Sequence, residues 1–379
     1  MKTQNSFPRK AIVLVCAIAS FVALGAVAPQ QANATRPNSR VDEQVQFLLS
    51  KQLPSGAITS INNKISPYFA NVAAIGLIKA NTKDSKAAAL SWMTWYLNHL
   101  NTPSTNVPAN SVFDYVVETG TGREVPTGDF DSVDSYASTA LNVANAAVHS
   151  HDRALRQFVR DHIVQYESIA NLLTGGAPSG VLIESGPDAG LTIAKPSYPV
   201  AYTMDNVEVF SGLRDFSFAE GSLMRPGESA RYATQAISAQ KAVISKLWNP
   251  FNNNWDWAYA NASDPKNFYA QATVQVWPIL FGVVGPQDSK AIAGWNKFNS
   301  TWPSWFNNGV PDAYPWSSLA RAAQIMGEPV KASAALADIY NRYAPTFTLP
   351  TRCGVASCGQ WYSNEAGWFI QSVLAEPKR

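Results

Sequence analysis

The sequence predicts an all-α fold, an (α/α)6 toroid of six helical hairpins with outer and inner helices alternating, and three observations carry that prediction. Helix-period segments recur in pairs along most of the chain. The first member of each pair is amphipathic with a charged face, whereas the second is nearly uncharged and rich in Ala, Gly and small polar residues. A helix apolar on one stripe wets its other side, and one that is apolar all round is buried on both sides. The loops leading into the second members are also the longer and more irregular ones, which favours a closed ring over an open solenoid.

The first 34 residues read as a targeting segment and stand apart from the fold. Lys2, Arg9 and Lys10 open it, "AIVLVCAIASFVALGAVA" is its apolar middle, and Ala32–Ala34 ("ANA") is a small-residue cleavage site. Residues 35–379 are expected to form one barrel domain. Its outer members lie near Val41–Lys51, Asp84–Leu100, Asp152–Leu172, Gly227–Trp248, Asp288–Phe306 and Pro329–Tyr343. Its inner members lie near Pro67–Ala80, Asp131–Ala147, Tyr202–Leu213, Phe268–Phe281, Pro315–Met326 and Ser363–Leu374. With helices running alternately up and down, the six loops that enter the inner helices gather at one end. There they collect Asp, Asn, Glu, Tyr and Trp around a central depression.

Charge excludes several partners. The whole chain carries 29 basic and 27 acidic side chains. Losing the three basic residues of the targeting segment leaves 26 against 27, a net charge of −1, with no Lys/Arg cluster. Neither nucleic acid nor an anionic membrane surface is an expected partner. The expected product is an exported, secreted or periplasmic, soluble monomer. Cys353 and Cys358, in "CGVASC", are read as a small-loop disulfide, because no second Cys pair or nearby His completes a zinc site. No Walker loop, dinucleotide turn or paired-His helix is present, so no cofactor or metal is expected. The four His fall on or beside the outer helices, which argues against a His-dependent triad.

The alternating hairpins, with "SGAI", "PYFANVAAIGL", "DSVDSYAST", "AGLTIAKPSYPVAYTMDNVEVFSGL" and "WYSNEAGWF", resemble the six-hairpin glycosidase superfamily over roughly residues 40–375. That resemblance implies an (α/α)6 enzyme acting on a polysaccharide or oligosaccharide. Compared with family 8 glycoside hydrolases, the first inner helix departs from the pattern, because 67–71 ("PYFAN") lacks the acidic residue expected there.

The residues themselves point to paired carboxylates. Positions three apart share a helix face, so Asp131 lines up with Asp134. Tyr202, Asp205 and Glu208 form a second row, Tyr68 and Asn71 a third, and Tyr362 and Glu365 a fourth. Inner helices should be apolar at such positions, because a buried unpaired carboxylate is costly. Glycoside hydrolysis needs one protonated and one ionised carboxyl group. Asp134 and Asp205 are the expected primary pair, with Asp131 and Glu208 as positioning or alternative catalytic groups and Glu184 in reserve. Asp129 reads as a helix N-cap, Asp131 and Glu365 equally as first-turn charges, and Asp205 with Glu208 as partners of a buried Arg214 or Arg321. Tyr136, Tyr202, Trp255, Trp257, Trp316 and Trp361 join Tyr68 and Asn71 as expected sugar contacts, whereas Trp92, Trp95, Trp277 and Trp295 read as packing. Two rival functions remain: a polysaccharide lyase on the same scaffold, which would favour Arg or Lys at the mouth, and a non-catalytic glycan-binding protein.

Overall fold

A computed structural model describes residues 39–352 and 359–376 and contains the predicted alternation of wet and dry helices. Cys353 and Cys358, like the targeting segment, lie outside the described residues. The first hairpin is α1 (Ser39–Lys51) and α2 (Pro67–Ala80). The second is α3 (Lys83–Asn98) and α4 (Val133–His149). The third joins an outer layer of α5 (Arg153–Asp161) and α6 (Ile163–Thr174) to α7 (Thr203–Ser222). The fourth runs from α8 (Pro226–Leu247) to α9 (Trp277–Leu280). The fifth comprises α10 (Ser289–Thr301), a short α11 (Trp305–Asn308) and α12 (Ser318–Ile325). The sixth is α13 (Pro329–Tyr343) and α14 (Ser363–Leu374). Among the described residues, no helix is long and apolar enough to cross a membrane.

The inner helices close a ring: α2 packs on α4, α4 on α7, α7 on α9, α9 on α12, α12 on α14, and α14 back on α2. Closure is what separates a toroid from a solenoid. It also sets α7 opposite α14, the third place in the ring against the sixth.

Small residues let the ring close. A Cβ built on Gly76 of α2 would stand 2.7 Å from the Cα of Gly367 in α14, and one on Gly367 would stand 2.4 Å from the carbonyl oxygen of Val72. Gly212 of α7 meets Ser138 of α4 in the same way, at 2.6 Å from its carbonyl oxygen. Side chains larger than hydrogen would push these backbones apart, and a close-packed interior has no slack to absorb that.

Three of the predicted boundaries shift for local reasons. The third outer segment breaks at His162, whose φ of −110° and ψ of 19° leave the helical region. The fourth inner segment is α-helical only at its end, after a π turn (Phe268–Ala272) and a 3-10 turn (Thr273–Gln275), because Tyr269 is extended (φ −105°, ψ 129°) and Pro278 at the start of α9 cannot donate to a preceding turn. The third inner helix runs nine residues past the expected Leu213, to Ser222.

Some outer helices carry side-chain caps, though α6, α8 and α13 do not. Thr82 caps α3 in a reciprocal box with Ser85, Asp152 accepts from the backbone of Ala154 and Leu155 at α5, and Asp288 accepts from Lys290 at α10. At the N-termini of α2, α4, α7, α12 and α14 no side chain caps the helix. Orphan N–H groups and the positive dipole ends of five inner helices therefore collect at one end of the ring. A small antiparallel sheet of β1 (Lys64–Ile65), β2 (Tyr115–Val117) and β3 (Glu124–Pro126) lies in the loops entering α2 and α4.

Candidate active site

A chamber opens at that end of the ring, walled by residues of every inner segment. Its acidic side chains are Asp131, Asp205, Glu208 and Glu365, and its aromatic wall is built from Tyr68, Phe69, Tyr314, Trp316, Trp277 and Trp368. An adjoining cavity of about 470 Å³ shares Asp131, Ser132, Met204, Asp205 and Tyr269 with it and is floored by Tyr202 and Trp257. Those two rings lie 5.6 Å apart, tilted by 35°. Asp205 therefore stands where the two spaces meet.

Asp205 is held by an unusual neighbour. The hydroxyl of Ser132 lies 2.8 Å from Asp205 Oδ2 and 2.6 Å from Asp134 Oδ1. A hydroxyl has one proton to give. One contact is therefore Ser132 donating, and the other requires a proton on a carboxyl group. Asp134 also accepts from Thr192 Oγ1 at 2.6 Å and from the backbone of Ser135 at 3.0 Å. Thr192 Oγ1 also lies 3.2 Å from Asn206 Oδ1, but its contact with Asp134 is much the shorter, and with the Ser135 N–H it favours an ionised Asp134, which puts the carboxyl proton on Asp205. Electrostatics agree: burial and then the charges of Asp134 and Glu208 hold Asp205 well above the usual carboxylate range. Burial pushes Asp134 up only to about 6, its hydrogen bonds opposing the shift.

Glu208, one turn along α7, accepts from Tyr68 OH at 2.7 Å and from Trp277 Nε1 at 2.8 Å, both at Oε1. Burial raises it to about 7 against those donors. Glu365 sits in the first turn of α14, across the ring from α7, and accepts the backbone N–H of Ser317 at Oε2, 2.7 Å away. Burial raises it to about 7 as well. Among the described residues, no Lys or Arg forms an ion pair with Asp134, Asp205, Glu208 or Glu365. Arg214 pairs with Asp215, and Arg321 bonds Gln324, so neither supplies the expected buried partner. No Lys, Arg or His lines either cavity.

The structure brings together most, not all, of the residues singled out in the sequence. Asp205, Glu208, Asp131, Tyr68, Tyr136 and Trp316 line the chamber, and Tyr202 and Trp257 line its neighbour. Asp134 is a correction: it is fully buried behind Ser132 and meets neither space. Asn71 is a second, because Trp92 Nε1 donates to it and it donates to Tyr136 and Thr139, all inside the core. Trp255 and Trp361 are fully buried too, the first against Trp248 and the second donating to Gln44. Both lie in mouth-side loops, but their rings turn inward to fill the space between layers. Tyr136 offers the chamber only its ring, since its hydroxyl donates to Asp114.

Asp129 does not cap α4; it pairs with Lys195 at 2.9 Å on the surface, and Ser132 holds the cap position. Glu184 is exposed on its loop and lines neither cavity. His149 lies on inner helix α4, not an outer one, but at its far end. Trp277, expected to be packing alone, grips Glu208. Residues the sequence did not flag are Ser132, Thr192, Tyr269 and Tyr314, for which only the preceding helix starts were visible.

With the geometry in place, the chain can be compared with known proteins. No family model and no curated protein sequence matches it. Solved structures do. A glycosidase variant in complex with glucose aligns over 89% of this chain and 97% of its own, with a TM-score of 0.59 and 13% identity. A GH63 mannosylglycerate hydrolase from Thermus thermophilus, also in complex with glucose, aligns over 88% and 99%, with a TM-score of 0.57 and 10% identity. A rhamnosidase from Klebsiella oxytoca with rhamnose bound gives 0.56 at 12% identity, over 89% of this chain and 65% of that one. At such identities the likeness is one of fold.

Proposed function

We propose that the protein is a glycoside hydrolase acting on a neutral sugar, with Asp205 as general acid and Glu365 as the opposing base. The observation that carries this reading is the proton inventory around Ser132, which leaves Asp205 as a carboxylic acid at the junction of two aromatic-lined spaces. The terminal sugar occupies the inner chamber and the leaving group lies over Tyr202 and Trp257. Asp205 gives its proton to the glycosidic oxygen as that bond breaks. Glu365 takes a proton from the water whose oxygen joins the anomeric carbon. Acid and base on opposite helices of the ring suit attack from the face opposite the leaving group, hence inversion. Asp134 is a positioning residue acting through Ser132, and Glu208, clamped by two donors, orients the sugar.

The lack of cations around the carboxylates supports hydrolysis of a neutral sugar over elimination from an acidic one. Export to the periplasm or beyond follows from the 34-residue leader and belongs to the same proposal. The test is release of reducing ends by the purified protein from a panel of neutral and acidic oligo- and polysaccharides, with ultraviolet absorbance followed in parallel. Reducing ends without absorbance, lost in Asp205→Asn and Glu365→Gln, are the expected result. Absorbing unsaturated products would make it a lyase; sugar binding without turnover, retained in both variants, would make it a glycan-binding protein.

A further inference from the structure

A second cavity of about 520 Å³ is lined by the middle and later turns of the inner helices. On one wall Arg214 is paired with Asp215 and donates to the carbonyl of Phe281, while Asn142 donates to Asp215 and Ser211; the side-chain oxygens of Asn142 and Asn145 there have no partner. The opposite wall is formed by Lys79 of α2, Gln371 of α14 and Arg321 of α12, three consecutive helices of the ring. Among the described residues Lys79 has no ion pair or hydrogen bond, and Arg321 has only the neutral Gln324 at 3.2 Å. Gln371 is nine-tenths buried, and its side-chain nitrogen has no partner.

Two cations and an unused amide donor face one space whose carboxylate, Asp215, is already engaged by Arg214 and Asn142, which leaves an incomplete electrostatic arrangement. Lys79 is exposed at its tip, but the desolvation of its stem and the charge of Arg321 lower its pKa, with Asp215 opposing. We propose that this cavity binds a small oxyanion, a carboxylate or a phosphate, held by Lys79, Arg321 and Gln371. Guanidinium and ammonium donors with an amide beside them match the lone pairs of such a group. The site is separate from the sugar chamber and does not depend on the proposed hydrolysis. Trp368 lies between them, lining both.

The test is calorimetric titration with inorganic phosphate and, separately, citrate, on the full mature chain at constant ionic strength set with sodium chloride. One site per chain is expected, with affinity at least tenfold weaker in Lys79→Gln and in Arg321→Gln and unchanged in Asp205→Asn. Circular dichroism of each variant checks that the ring is intact, and Lys79→Gln, at an open helix end, keeps the test usable if Arg321→Gln does not fold. Binding of phosphate but not citrate, or the reverse, identifies the source of the oxyanion. Heats no larger than those for added chloride, or equal affinity in wild type and Lys79→Gln, would overturn the proposal.

Discussion

The two ends of the ring carry opposite unpaired charge, although the same six inner segments supply both. At the mouth, Asp205, Glu208 and Glu365 are buried without a cation. At the far end, Lys79 and Arg321 stand without a carboxylate. Helix polarity explains why each end tolerates its own sign. The N-termini that converge on the mouth offer uncapped N–H groups, such as that of Ser317 donating to Glu365, whereas the C-termini favour cations such as Lys79 in the last turn of α2. Dipoles of this kind are worth only about 0.3–1 kcal/mol each, less than the desolvation they offset. The mouth, where Glu208 and Glu365 are buried, therefore carries a desolvation cost that the far end, where Lys79 is exposed, does not.

The largest effect expected from breaking this comparison is on turnover. Asp205→Asn removes the proton donor and should lower the rate on a natural glycoside by roughly 10²–10⁴-fold. Glu365→Gln should do the same, with both variants folded by circular dichroism. Next comes stability. Glu208 has a folded value of about 7 against an ordinary 4.5, so the folded protein holds that proton more tightly than the unfolded chain. Its contribution is fully present below about pH 4.5 and is lost as pH rises through about 7. Denaturant titrations should show the wild type losing stability between pH 5 and 8. Glu208→Gln should flatten that slope, gaining on the order of 3 kcal/mol at pH 8. A buried cation neutralising the site would give a flat profile in both.

The ring itself is tested by Gly367→Ala, whose added carbon would meet the Val72 carbonyl at 2.4 Å. Overpacking of this kind costs about 1–3 kcal/mol, read as a lower denaturation midpoint. Trp257→Ala should raise KM by roughly tenfold with little change in kcat, since stacking contributes about 1 kcal/mol. At the far end, Lys79→Gln should leave turnover unchanged, and a large loss there would join the two ends into one site.

How much of this was legible in the sequence follows from where each signal lives. The 3.6 period and the loss of charge from alternate helices are properties of single segments, so the hairpins, their order and the Asp205–Glu208 row on α7 could be read, whereas Asp131 precedes α4 and shares no face with Asp134. Which face of a mouth residue turns toward the cavity depends on neighbouring helices. Trp255 and Trp361 share composition and position with Trp257 and Trp316, yet fill the space between layers. Asp134 looked like the best carboxylate because nothing in the sequence pattern excused it. Its excuse is a local hydroxyl from Ser132, two residues back, joined by a tertiary one from Thr192, 58 residues away. Glu365 was ambiguous because a first-turn charge and a catalytic base occupy the same position, and only ring closure sets it opposite Asp205.

The most direct test of the central claim, that Asp205 delivers a proton to the leaving group, is the leaving-group dependence of Asp205→Asn. On the glycoside that the wild type turns over best, the variant should be crippled. On the dinitrophenyl glycoside of the same sugar, whose leaving group needs no proton, most of the deficit should disappear, while Glu365→Gln stays inactive on both. An Asp205→Asn deficit of the same size on the two substrates, or none on either, would contradict the assignment.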